Sequence, residues 1–201
     1  CAIYAAGNGT WYFEDGVEVK GVGSALGIKA GEINVMGGTF TATGASNENP
    51  ALYNNGINPS GAAVQIETNL NNYYGHARLH IEGGEFISEQ GNAILEYGSN
   101  TTSAAEEIDI RGGVFTAAEE KEALKLSDSI KTNNNVVNVF GGAFSSSISE
   151  EIVNEEAIRI SFAAIIDKEV VDMTEVTGVI IVPVGTIFDE ETINELKALV
   201  G

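Results

Sequence analysis

The clearest repeat of the sequence reads Ile108-Asp109-Ile110-Arg111-Gly112-Gly113-Val114-Phe115, and this stretch decides the fold. It consists of two alternating apolar residues, a glycine pair, one variable residue and a phenylalanine. Four copies of this phrase end at Phe40, Phe86, Phe115 and Phe144. The last three copies are spaced by 29 residues, and the first interval of 46 residues is the same period with a 17-residue insertion. A constant period of this size predicts a repeat architecture, in which each unit buries its apolar face against its neighbours.

A second element recurs in step with the first and begins at an alanine. It reads Ala, apolar, variable, apolar, and its copies are Ala25–Ile28, Ala63–Ile66, Ala123–Leu126 and Ala157–Ile160, with looser copies at Ala2–Ala5 and Ala93–Glu96. Short alternating segments bounded by Gly and Asn indicate strands rather than helices. Each unit therefore contains three short strands, and the glycine pair marks a corner where a positive φ is needed.

Three short strands per unit predict an all-β fold, a single-stranded parallel β-helix in which each strand stacks on its counterpart one turn away, about 4.8 Å distant. The phenylalanines of the phrase should form an aromatic ladder just past the corner. Alternation places further ladders of like residues inside, namely Ile33, Val35, Leu79, Ile81, Ile108, Ile110, Val137 and Val139. An antiparallel sandwich also has short alternating strands, but it does not explain the constant spacing.

The predicted domain has two parts. Residues 1–162 form the coils, with an insertion loop near 45–61, and residues 163–201 form terminal strands and a capping helix. The strand candidates after the repeats are Ala163–Ile166, Val170–Val171 and Val179–Val182, and the helix opens at Asp189 with Ile193, Leu196 and Val200 on one face. Asp is a favoured N-cap residue, and a terminal amphipathic helix suits the end of a repeat array. The alternative is a helix that begins another domain.

The ends and the composition limit the function classes. A strand begins directly at Ala2, so we interpret the chain as a piece of a longer polypeptide, in which the lone Cys1 forms no disulfide within the chain. The net charge is −19 with only 10 basic residues, which argues against binding to nucleic acid or to an anionic membrane surface. No apolar run approaches the roughly 18 residues of a membrane span. Acidic corners such as Glu106-Glu107 offer a place for calcium, yet no segment matches a known calcium loop, so no metal or cofactor is expected.

The phrase Gly-Gly-Thr-Phe-Thr at 37–41 and its variants, together with Ala-Ile-Tyr at 2–4, resemble the repeats of a known class of proteins. These are bacterial surface and secreted proteins with a right-handed parallel β-helix, which share the fold of the pectin-lyase-like superfamily. The resemblance covers roughly residues 1 to 160. The resemblance implies a right-handed coil with about three short strands per turn, and an extracellular or cell-surface location. That fold hosts lyases, hydrolases, adhesins and inert stalks, so function must be argued from the site.

The sequence favours a non-catalytic role, either recognition of a glycan or of a host or cell-surface protein, or a rigid stalk. The candidate ligand-binding residues are Tyr53, Asn54 and Asn55 in the insertion and Tyr73 and Tyr74 in a later corner. Exposed tyrosine beside asparagine amides suits a sugar ring, and loops on a rigid scaffold are common binding sites. Asn is also an ordinary turn residue, and corner tyrosines can simply pack.

The alternative is a polysaccharide lyase or glycoside hydrolase that uses carboxylates on the outer face. Outward positions of the second strands stack Arg78 over Glu107, His80 over Asp109 and Glu82 over Arg111. Two carboxylates about 5–9.5 Å apart are what glycoside hydrolysis needs. However, neighbouring cations favour ionised carboxylates, whereas a general acid must carry a proton. These residues are therefore interpreted as surface charge ladders, and no catalytic residue is predicted.

Glu96 breaks the pattern of the first strands. It occupies the inward position that Ile28, Ile66, Leu126 and Ile160 hold in other coils. A buried carboxylate is costly and marks a candidate functional residue. The favoured interpretation is a one-residue bulge that turns Glu96 outward and Leu95 or Tyr97 inward.

Overall fold

Three sheets contain the described strands, and the chain passes through these sheets in turn. The fold is all-β with one C-terminal helix, as the repeats predict. The computed structural model describes residues 1–51, 57–68, 77–98, 105–131, 136–162 and 178–200.

Strands three apart in the chain pair with each other in parallel, so that each sheet collects every third strand. The first sheet contains β1 (Ile3–Ala5), β4 (Leu26–Ile28), β7 (Val64–Thr68), β10 (Ile94–Gly98) and β13 (Leu124–Lys125). The second sheet contains β2 (Thr10–Phe13), β5 (Gly31–Val35), β8 (Ala77–Ile81), β11 (Glu107–Ile110) and β14 (Val137–Val139). The third sheet contains β3 (Glu18–Gly21), β6 (Thr39–Ala42), β9 (Glu85–Ser88), β12 (Val114–Thr116) and β15 (Gly142–Phe144), and it continues into β17 (Val179–Pro183) and β16 (Ala157–Ser161).

The core is built from ladders of like residues, as alternation predicts. In the second sheet Leu79 lies between Ile33 and Ile108 in register. In the third sheet the rings of Phe40, Phe86, Phe115 and Phe144 stack with centroids 5.3, 4.9 and 4.6 Å apart. All eight predicted ladder residues are buried in one cluster with these four rings. The predicted aromatic ladder is therefore confirmed.

The glycine pair forms the corner between the second and third sheets. Its second member has a positive φ in every copy, +92° at Gly38, +102° at Gly84 and Gly113, and +118° at Gly142. The first member has another reason to lack a side chain, because a Cβ at Gly141 would lie 2.2 Å from the carbonyl oxygen of Arg111. One member is thus required by backbone conformation, and the other by the close approach of neighbouring corners.

The segment Ala157–Ile160 does not follow the repeat. Its alternation predicts a first strand with Ile160 inward, but β16 pairs antiparallel with β17 at the edge of the third sheet. The prediction is wrong because β17 pairs antiparallel with β15 along one edge, and its other edge pairs with β16. Ile158 is consequently exposed.

The C-terminal segment contains the predicted strand at 179–182 and the predicted helix, α2 (Glu190–Val200). Asp189 caps this helix, since its Oδ1 accepts a hydrogen bond of 2.9 Å from the backbone N–H of Thr192. Leu196 packs with Ala143, Ile180 and Val182, whereas the alternate residues of β17 belong to the main core. The described contacts of α2 are therefore with the outward side of the third sheet. The candidates Ala163–Ile166 and Val170–Val171 lie outside the described residues.

Two short helices complete the described structure, α1 (Asp128–Lys131) and a 3₁₀ turn at Glu150–Ile152. Among the residues that the structure describes, no helix has the length and apolar character needed to cross a membrane.

Candidate functional site

The insertion is anchored to the outward side of the first sheet. The predicted ligand-binding residues Tyr53, Asn54, Asn55, Tyr73 and Tyr74 lie outside the described residues. The described part of the insertion after them does contact the sheet. Ser60 Oγ donates a hydrogen bond of 2.8 Å to Gln65 Oε1, and Gln65 Nε2 donates one of 2.5 Å to the carbonyl oxygen of Asn58. Ile57 lies over Gly27, where a Cβ would be 3.2 Å from its methyl group.

Beneath this segment lies a group of buried polar side chains, which we call the polar cluster: Lys29, Gln65, Glu67 and Tyr97. They alternate with inward residues, so they are on the outward side of the first sheet. Lys29 Nζ contacts Glu67 Oε1, and both side chains are 0% exposed. Tyr97 Oη donates to Glu67 Oε2 at 2.6 Å and accepts from Gln65 Nε2 at 2.6 Å. The cluster is therefore a continuous chain of hydrogen bonds from Lys29 to the insertion.

The phenol of Tyr97 is held in its protonated form. Burial raises the pKa of Tyr97 strongly, and the hydrogen bond to the Glu67 carboxylate raises it further. Because the neutral phenol is the donor in that hydrogen bond, the polar cluster keeps an O–H directed at Glu67 across the ordinary pH range.

Glu96 is inward and buried, so the bulge is the wrong interpretation. The register of β10 against β7 is unbroken, with Glu96 paired to Ile66 and Tyr97 to Glu67. The carboxylate accepts hydrogen bonds from the backbone N–H of Ala105 at 3.4 Å, from the backbone N–H of Ser127 at 3.1 Å and from Ser127 Oγ at 2.7 Å. Burial raises the pKa of Glu96, while these hydrogen bonds oppose the rise. Glu96 thus replaces an aliphatic ladder residue with a link to two neighbouring backbone segments.

A cavity of about 470 Å³ lies next to the polar cluster, since Tyr97 contributes to its lining. It is lined by residues 48–50 of the insertion, residues 95–97 and residues 125–128. Glu48 is paired with Lys121 at 3.2 Å. Lys125, whose pKa is raised chiefly by its hydrogen bond to Glu122, adds a cation to the lining. The cavity therefore combines apolar surface with charged groups of both signs.

The outer face of the second sheet carries the predicted charge ladders. Arg78 pairs in register with Glu107, and His80 with Asp109. Arg111 Nε lies 3.7 Å from Glu82 Oε1. The predicted stacking is confirmed for all three pairs, two of which join an arginine to a carboxylate, and Arg111 additionally lies 4.3 Å from the ring centre of Phe140.

Among the described residues, His80, Glu107 and Asp109 form a group of three side chains of metal-ligand type. One nitrogen or oxygen from each lies within 4.8 Å of the others. Each carboxylate already has a guanidinium partner, Arg78 at 4.0 Å from Glu107 and Arg111 at 3.6 Å from Asp109. A divalent cation would have to compete with both arginines for these carboxylates, so the donor set is suitable but its surroundings disfavour a metal ion.

Comparisons with protein-family models, with curated proteins and with solved structures found no match. The site must therefore be interpreted from its own chemistry. Sequence reasoning missed Lys29 and Glu67, because alternation places both on the outside, where charged residues are ordinary. A usable signal was present: the insertion directly precedes β7, and a segment of that length can cover the outward face of the next strand.

Proposed function

We propose that this chain is part of a single right-handed parallel β-helix from a bacterial surface or secreted protein, where it acts outside the cell as a rigid, non-catalytic recognition module. The parallel pairing of strands three apart in all three sheets supports one turn of the β-helix per three strands. Right-handed crossovers between parallel strands are strongly favoured. The stacked phenylalanines give this rod a stiff interior, which suits a stalk as well as a scaffold for binding.

The observation that carries a recognition role is the anchored insertion. Ser60 and Asn58 tie it to Gln65, and Gln65 is tied in turn to Tyr97. A stalk needs only its aliphatic ladders, whereas a loop fixed on a rigid scaffold is a common place for binding residues. Tyr53, Asn54 and Asn55 remain candidate ligand contacts on this loop.

A glycan is the ligand class that the adjacent cavity fits best. Its volume of about 470 Å³ falls within the range of small-molecule sites. Glu48, Asn49 and Lys125, which line the cavity and are at least partly exposed, offer hydrogen-bonding groups for the hydroxyls of a sugar. The partner would be a glycan, either free or carried by a host or cell-surface protein.

Binding to immobilised glycans tests this proposal. We expect the wild type to be retained on a subset of a glycan panel without releasing products. Lys125→Ala should weaken retention at least about tenfold, the equivalent of one lost charged hydrogen bond. Lys20→Ala is the matched control, because Lys20 is an exposed lysine on the third sheet, away from the cavity. Equal retention of both variants, or no retention of the wild type by any glycan, would overturn the proposal.

A second candidate function, polysaccharide cleavage, is favoured by one observation only. Glu107 and Asp109 lie together with His80 on an outer face, where one nitrogen or oxygen of each lies within 4.8 Å of the others, so two carboxylates are close together there. Release of new reducing or unsaturated ends from any glycan in the panel, abolished by Asp109→Asn but not by Glu82→Gln, would establish this function in place of the first.

A further inference from the structure

We propose that Lys29 and Glu67 become joined by a covalent amide bond between their side chains, formed within the folded chain with loss of one water molecule. The bond would link β7 to the end of β4, two neighbouring strands of the first sheet. This inference goes beyond the recognition role and does not depend on any ligand.

The first support for this inference is the position of Lys29 and Glu67 in the sheet. Ile28 pairs in register with Ile66, so the next residues, Lys29 and Glu67, are brought side by side on the outward side of the sheet. Lys29 Nζ contacts Glu67 Oε1, and both side chains are 0% exposed. In every other ion pair between described residues, each side chain is at least 14% exposed. The amine and the carboxyl are thus held together in a place that excludes water.

Burial of the pair also favours condensation of the amine with the carboxyl group. Each of two charges removed from water carries a large desolvation cost, and the attraction between them only partly offsets it. An amide carries no charge, so the dry site favours the product. Groups held in contact on adjacent strands also react with effective molarities of about 10⁵–10⁸ M. The dry site therefore favours the amide at equilibrium, and the enforced contact speeds its formation.

The reaction needs no co-reactant. A proton first passes from Lys29 Nζ to the carboxylate of Glu67, which gives a free amine and a neutral acid. The nitrogen lone pair then attacks Cδ, and the electron pair of the C=O bond moves onto Oε2. When the C=O bond re-forms, the bond from Cδ to Oε1 breaks. Oε1 leaves as water with the carboxyl proton and one proton from the nitrogen, so that one amide and one water result.

Tyr97 supplies the catalytic group. Its Oη donates to Glu67 Oε2 at 2.6 Å, which is the oxygen that becomes negative during attack. A donor aimed at a developing oxyanion in a dry site is among the most effective catalytic devices in proteins. Gln65 Nε2 donates to Tyr97 Oη at 2.6 Å and orients the phenol. The raised pKa of Tyr97 keeps the donor proton in place.

Mass spectrometry tests the bond. The intact wild type, purified and then denatured, should be lighter than its sequence by one water, whereas Lys29→Arg, which keeps the positive charge but has no reactive amine, should have its full sequence mass. Trypsin cuts after Lys20, Lys29 and Arg78 when their side chains are unmodified. We expect a single peptide of residues 21–78 that lacks one water, and no free peptide of residues 21–29.

The decisive measurement uses the wild type alone, so it does not depend on any variant folding. A full sequence mass after several days of incubation, with release of the 21–29 peptide, would show that Lys29 and Glu67 form an ion pair only and would overturn the proposal. Tyr97→Phe should slow the appearance of the lighter species at least about tenfold. An unchanged rate in that variant would remove Tyr97 from the catalytic role.

Discussion

Replacement of Phe115 is the most direct test of the stacked interior. The ring is fully buried, with the rings of Phe86 and Phe144 on either side at centroid distances of 4.9 and 4.6 Å. Phe115→Ala removes the ring and leaves a cavity between two neighbours that are fixed by their strands. We expect the free energy of unfolding to fall by about 3–5 kcal/mol, as for other buried phenylalanines.

A second replacement separates ring stacking from burial. Phe115→Leu keeps most of the apolar volume but loses two ring pairs, each contributing about 0.5–1.5 kcal/mol. The expected loss is therefore about 1–3 kcal/mol, which lies between the wild type and Phe115→Ala. Urea unfolding followed by circular dichroism measures both variants, with the m-value checked for constancy.

The control is Phe188→Ala, the same chemical change at a side chain that is 43% exposed. Its expected cost is below about 1 kcal/mol. If Phe115→Ala were no more destabilising than Phe188→Ala, the column of rings would not be a core, and the assignment of the third sheet as a stack of equivalent strands would be refuted.

Three further predictions concern a charge, a corner and the terminal helix. Burial raises the pKa of Glu96 above its usual 4.5, so the folded chain holds this proton more tightly than the unfolded chain. The stability of the wild type relative to Glu96→Gln should therefore fall as the pH rises from 4.5 through the raised pKa, which urea titrations at a series of pH values measure. Gly141→Ala would place a Cβ 2.2 Å from a carbonyl oxygen and should cost about 1–3 kcal/mol in thermal unfolding, whereas Gly7→Ala, in open space, should cost little. Leu196→Ala should destabilise the chain by about 2 kcal/mol or more because Leu196 is buried, and the half-exposed Leu199→Ala should cost clearly less.

Each of these has a result that contradicts it. A pH-independent difference between the wild type and Glu96→Gln would mean that the carboxyl titrates alike in the folded and unfolded chains. Equal melting temperatures for the two alanine variants at Gly141 and Gly7 would show that the corners are not in close contact. Equal effects at Leu196 and Leu199 would show that α2 does not pack on the third sheet through Leu196.

Periodicity was sufficient to predict the interior from the sequence. Alternation within each strand gives the inward side, and the fixed spacing gives the register, so that Phe86 over Phe115 and Arg78 over Glu107 both follow from arithmetic on the sequence. The same reasoning failed at Ala157, where the local pattern matches a first strand but the antiparallel partner Val179–Pro183 pairs with it instead. Strand alternation fixes which side a residue faces, but the choice of partner depends on distant segments.

Burial on the outward side could not be predicted in this way. Alternation places Lys29 and Glu67 outside, and outside normally means exposed. The insertion changes this, because its segment at 57–62 covers that side of the first sheet and converts an outward face into a second interior. Leu95, which alternation also places outside, is buried there with Ala62 and Tyr97 for the same reason. The candidate site was therefore missed where a non-repeating segment covers a repeating one.

The distribution of these buried polar groups bears on what the chain is for. Glu96 and Tyr97 are consecutive residues of β10, yet one faces the main core and the other the polar cluster, so polar groups occupy both sides of the first sheet at the same place. An aliphatic residue at each position would make the fold more stable, since buried polar and charged groups cost free energy that apolar ladders do not. Departures from the locally optimal residue are expected where function demands them. The departures at Glu96 and Tyr97 occur beside the insertion and its cavity, whereas the corresponding strands of the second sheet keep their aliphatic ladder. Because the polar residues coincide with the insertion, they favour the proposal of a recognition site there over that of a uniform stalk.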